Sequence, residues 1–137
     1  MWYSYATIRL VPRVEREEFI NVGVVVFARE QQFLAGRIDV DRERLSALAP
    51  DIDRDLIERH LRTFLDICAG DPRGGPLAAL PAPERFHWLV APRSTIIQTS
   101  AVHVGRSDDR DRALEELLEE LVRQPARRQD PADSLGA

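Results

Sequence analysis

From Trp2 to Leu10 the side chains alternate, with Trp2, Ala6, Ile8 and Leu10 on one face and Tyr3, Tyr5, Thr7 and Arg9 on the other, which predicts a strand. Pro12 and the charged run Arg13 to Glu17 make a connection. Phe19 to Phe27 predicts a second strand whose two alternating sets are Ile20, Val22, Val24, Val26 and Phe19, Asn21, Gly23, Val25, Phe27. Both sets are mostly apolar, so this strand is expected at the centre of a sheet, covered on both sides. A polar turn from Arg29 to Gln32 leads into a third predicted strand, Phe33 to Asp39. Links this short favour antiparallel neighbours over parallel crossovers.

The period then becomes helical. Asp41 caps a short helix through Leu48, and Pro50 ends it. Asp51 opens a longer helix whose apolar stripe is Ile52, Leu56, Ile57, Leu61, Phe64, Leu65 and Cys68, with Gly70 as its stop. Asp55 with Arg59 and Glu58 with Arg62 have the spacing of i,i+4 pairs on the wet face, and His60 on the border of the stripe is given a packing role. Asp71 to Pro83 is rich in Pro and Gly and is expected to be irregular. Arg85 to Val90 and Ser94 to Thr99 predict two more strands about the turn Ala91-Pro92-Arg93, with Val102 to Val104 continuing the second. Asp108, Asp109 and Asp111 then precede a last amphipathic helix through Val122. Residues 123–137 carry Pro125 and Pro131 among small and polar residues and predict a disordered tail.

The expected fold is therefore α+β: one domain over residues 1–122, with a mainly antiparallel sheet of about five strands and helices packed against it. The length of 137 residues suits one domain. No apolar run approaches the length of a membrane helix, and the N-terminal residues lack the order of a secretory signal, so the expected compartment is cytoplasmic with no membrane partner. The net charge of −4 argues against direct nucleic-acid binding. All 19 basic residues are Arg, which excludes lysine chemistry. The single Cys68 leaves no internal disulfide and no cysteine zinc site.

Neither a glycine-rich phosphate loop nor an HExxH pair is present, and His60, His87 and His103 lie far apart; no cofactor and no metal site are expected. Two polar clusters remain. Glu18 and Asn21 flank the most apolar strand, where a buried amide must find partners. Arg93, Ser94, Gln98 and His103 form a dense hydrogen-bonding set in which Arg93 offers a planar fork to a phosphate or carboxylate. Each cluster also has a structural explanation, in a satisfied loop or a solvated edge strand.

Tyr5, Arg9 and Pro12, then Arg16 to Val24 (Arg-Glu-Glu-Phe-Ile-Asn-Val-Gly-Val), and Phe86 to Gly105 with its Trp-Leu-Val-Ala-Pro-Arg-Ser-Thr core carry a likeness over residues 2–122. On these motifs the chain resembles a bacterial family known as domain of unknown function 3037. The resemblance implies a small partner or regulator protein, toxin–antitoxin-like, encoded beside a HipA-like kinase. Two readings follow: a non-enzymatic interaction module, whose acidic last helix (Glu115, Glu116, Glu119, Glu120) meets a basic partner, or a protein acting on an anionic or phosphorylated compound at Glu18, Asn21, Arg93, Ser94, Gln98 and His103.

Overall fold

The structure, a computed structural model, describes residues 1–124. Strand β1 (Trp2–Leu10) pairs antiparallel with β2 (Ile20–Ala28), and β2 with β3 (Phe33–Ile38). On its other side β1 takes two short strands in turn. β4 (Ile97–Thr99) runs along Ile8 to Leu10, and β5 (His103–Arg106) along Trp2 to Tyr5. The result is a five-stranded antiparallel sheet in the order β3-β2-β1-β4, with β5 beside β4 on the same flank of β1. Four helices complete an α+β domain: α1 (Arg42–Leu48), α2 (Arg54–Ala69), α3 (Ala82–Leu89) and α4 (Arg110–Leu121).

β2 lies inside the sheet and is apolar on both faces. Ile20, Val22, Val25 and Phe27 join Ala6, Ile8 and Leu10 against α1, α2 and α3, while Val24, Val26 and Ala28 pack with Tyr3 against Leu114, Leu117 and Leu118 of α4. Full burial of each such side chain stabilises the fold by about 1.5–3 kcal/mol, so covering one face alone would leave much of this driving force unused. Strict alternation fails at one point. Ile8 faces Gly23 and Arg9 faces Asn21, so Val22 is the extra residue of a bulge. Asn21 consequently shares its face with Val24 and Val26, not with Val25 as simple alternation implies. Gly23 is required here because a Cβ would stand 2.5 Å from the Arg37 carbonyl oxygen and 2.6 Å from Ile38 Cδ1.

Asp41 caps α1 by accepting from the Glu43 and Arg44 N–H groups. For α2 the cap is Asp53, which accepts from Leu56 N–H, rather than Asp51, and Gly70 closes the helix in the left-handed region. The pairs Asp55–Arg59 and Glu58–Arg62 do not form within 4.0 Å, and His60 is exposed rather than packed. Between α2 and α3 two short 3-10 turns interrupt the irregular connection.

The expected strand Arg85 to Val90 is instead helix α3. Pro81 and Pro83 flank its start, where no backbone N–H partner is needed and the fixed φ suits a helix. Phe86 and Leu89, three apart, then reach the same core, and Phe86 stacks on Phe27 with ring centroids 5.2 Å apart. Arg85 ties α3 to the end of α2, its Nη1 donating to the carbonyls of Ile67 (2.8 Å) and Cys68 (2.6 Å). The next expected strand shrinks to Ile97–Thr99, and β5 is separate from it. The sheet nevertheless has five strands because β4 and β5 share the flank of β1.

Asp109 caps α4. Arg123, expected in the tail, is a clasp: it binds Asp39 (2.7 Å), Glu115 and Glu119 (2.6 Å), while Arg37 reaches Glu115 at 3.3 Å. The remainder of the expected tail, from 125 onward, lies outside the described residues.

Two outcomes follow. Gly23→Ala forces β3 away from β2 and lowers the unfolding free energy by about 1–3 kcal/mol, read from urea titration. Hydrogen bonding from Arg123, with Arg37 adding to it, holds the Glu115 carboxyl below its ordinary value. A depressed carboxylate contributes stability above its unfolded value and loses it as pH falls through the folded one, so acidification below about pH 4 lowers the melting temperature. Arg123→Ala makes that acid loss shallower, as thermal melts over a pH series will show.

Candidate functional site

α2, α3 and the segment leading into β4 do not close on one another. Between them runs a groove of about 480 Å3, floored by Leu56, Phe64, Ile67, Leu89, Ile96 and Ile97 and rimmed by Arg59, His60, Thr63, Trp88, Arg93 and Thr95. The floor follows from α2's own stripe, since Phe64 and Ile67 belong to the core on this face and Leu56 lies on the same helix. No Asp or Glu lines it. Arg59 and Arg93 form no ion pair among the described residues, so the rim is cationic in a protein whose net charge is −4.

Arg93 has a structural task as well. Its guanidinium lies over the Trp88 ring, 4.0 Å from the centroid, and donates to the Trp88 carbonyl and to the Ala91 carbonyl at 3.3 Å. Arg93 thereby ties the turn after α3 back to the helix end, adding to the Ala91 N–H that already donates to the Trp88 carbonyl. Burial pushes the Arg93 pKa below its ordinary value, which still leaves it a cation at neutral pH. Trp88 stays 38% exposed, so the stacked pair presents a flat amphipathic wall.

The six residues singled out from the sequence fall in three places. Arg93 lies on the α2/α3 side, with Ser94 beside it and exposed. Glu18 pairs with Arg16 in a second cleft of about 450 Å3, next to Pro12, Pro50 and Ile52. Asn21, Gln98 and His103 stand on the opposite face, the one α4 occupies: Asn21 and Gln98 are both register partners of Arg9, and His103 is the partner of Tyr5. Asn21 Nδ2 donates to the Leu121 carbonyl at 3.0 Å. Gln98 Nε2 turns back to the Thr95 carbonyl at 2.8 Å. Arg93 and Asn21 are thus separated by the sheet and share no pocket. Cys68 is buried, and burial pushes its thiol up to about 12, far from a nucleophile's range.

Reading the sequence missed Arg59, His60 and Trp88 as groove residues, and Arg9 as the centre of the polar row on the other face. Arg9 was legible as one of the polar set Tyr3, Tyr5, Thr7 and Arg9 of β1. The groove residues required knowing that Trp88 is helical.

The family model described as protein of unknown function (DUF3037) matches residues 5–122. The chain belongs to this family. No curated protein and no solved structure matches it. The family match spans every strand from Tyr5 onward and all four helices, so it takes in both the groove and the Arg9 row.

Because Arg93 closes the end of α3, Arg93→Ala lowers stability by about 1 kcal/mol, the scale of a net hydrogen bond. A thermal melt of this variant checks it; an unchanged melting temperature would leave Arg93 with no structural task.

Proposed function

We propose that this DUF3037 protein is a non-enzymatic interaction module that receives an acidic, amphipathic segment of a partner protein in the α2/α3 groove. The observation that supports this most is the rim: Arg59 and Arg93, in no ion pair among the described residues and with no carboxylate lining the groove, above an apolar floor and an exposed tryptophan. Apolar anchors in a groove with charges at its edge are the pattern by which amphipathic helices dock. Trp and Arg are also the residues most often found to dominate interface energies. The acidic helix α4 is the weaker docking surface, since Glu115 and Glu119 are engaged by Arg123 and Arg37. The partner to test first is the HipA-like kinase implied by the family resemblance, in a cytoplasmic, toxin–antitoxin-like setting.

The position of Arg93 supports a second reading, a small anionic compound whose apolar body fills the groove and whose charge meets Arg59 and Arg93. Titration calorimetry with the purified kinase separates the two. The interaction reading expects association at micromolar concentration, weakened roughly tenfold by Arg59→Glu with the melting temperature unchanged. Failure to associate, or association indifferent to Arg59→Glu, overturns docking in the groove by this partner.

A further inference from the structure

α4 packs on β2 and β3, covers Tyr3 of β1 and ends at Asn21, whose Nδ2 donates to the Leu121 carbonyl; beyond that end the face is formed by the second half of β1 and its flanking strand β4. Arg9 stands in the middle of this area, between its register partners Asn21 and Gln98, at the point where the bulge shifts the pairing. Bulges commonly re-aim a side chain next to a functional site. Among the described residues the Arg9 side chain has no ion pair and no hydrogen bond; its guanidinium lies over the Phe19 ring, 4.2 Å from the centroid. Its Nε is buried without an acceptor, and the Oδ1 of Asn21 directly opposite is buried without a donor. Orphaned groups of this kind are costly, and an arginine in mid-sheet without an acid is uncommon unless something else completes it.

One acceptor and one donor are therefore wanted side by side, across the short distance that separates opposed residues of a strand pair. The charge of Arg9 asks for the acceptor to be anionic, and a planar carboxylate matches its fork. The last residue of a polypeptide supplies both groups: a free carboxylate and, one carbon away, its own amide N–H. We propose that Arg9 and Asn21 form a receptor for the C-terminal carboxylate of a partner polypeptide. Arg9 donates to the carboxylate and Asn21 Oδ1 accepts from the terminal amide N–H. Phe19, which precedes β2 and is 43% exposed, is the ring that moves aside to admit the chain end. The Tyr5–His103 ring pair, 5.6 Å between centroids, lies further along the same face and offers a wall to the terminal side chain.

The test is a nuclear magnetic resonance titration of the full chain that follows the Arg9 Nε–H and Asn21 side-chain amide signals. The probes are N-acetyl-alanine, N-acetyl-alanine amide and acetate. The proposal expects a saturable shift of both signals with N-acetyl-alanine, and roughly tenfold weaker responses with the amide, which lacks the carboxylate, and with acetate, which lacks the donor. Arg9→Lys keeps the charge, loses the fork and weakens N-acetyl-alanine roughly tenfold. Should that buried change impair folding, Phe19→Ala at the exposed ring serves instead: the proposal expects roughly two- to threefold tighter binding once the cover is gone. No saturable shift, equal responses to all three probes, or an undiminished response in Arg9→Lys overturns the proposal; so does weaker binding in Phe19→Ala. In any of those cases a bridging water is sufficient for the two orphaned atoms.

Discussion

Strand β2 has no face that tolerates water. Val22, Val25 and Phe27 on one side and Val24, Val26 and Ala28 on the other are all buried, and the rest of the molecule is arranged to make this so. One face requires α1, α2 and α3. The other requires α4, which the chain supplies only after both flanks of the sheet are in place. The Arg123 clasp to Asp39, Glu115 and Glu119 holds the end of α4 to the strand edge. Exposed ion pairs of this kind contribute modestly when single and more when several share one arginine.

Cover on the two faces is uneven, and the candidate sites arise where it stops. α3 is short, and the space between α2, α3 and the approach to β4 stays open as an apolar groove with arginines at its lip. On the other face α4 spans β2 and β3 and meets the Arg9 row only at its end, where the Leu121 carbonyl accepts from Asn21. The acidic residues of α4 are partly consumed in holding it down. A charge run that reads as a docking surface in the sequence is, for Glu115 and Glu119, the means by which the fold closes.

Elements whose pattern is local were legible in the sequence. The valine run of β2, the Asp41 cap and Gly70 each speak through their own neighbours. What failed had a non-local cause or a composition that pointed two ways. Phe86, Trp88 and Val90 favour a strand by residue type, whereas Pro81 and Pro83 mark a helix start, and the core contact of Phe86 with Phe27 sides with the helix. The bulge at Val22 displaced Asn21 from the face that alternation assigns it, and nothing short of the β1 register reveals that. For the candidate residues, Asn21, Gln98 and His103 do share a face, but Arg93 and Glu18 answer to partners close in sequence, Trp88 and Arg16. Sequence spacing cannot show which side of a sheet a connecting segment passes.

The central claim is that a partner protein seats between α2 and α3 and not along α4. Hydrogen–deuterium exchange of the chain with and without the purified HipA-like kinase tests it directly. The account expects the complex to slow exchange across the second half of α2 and from α3 to Ile97, with Arg110–Leu121 exchanging as in the free chain. Protection confined to Arg110–Leu121 would contradict it and assign docking to the acidic helix.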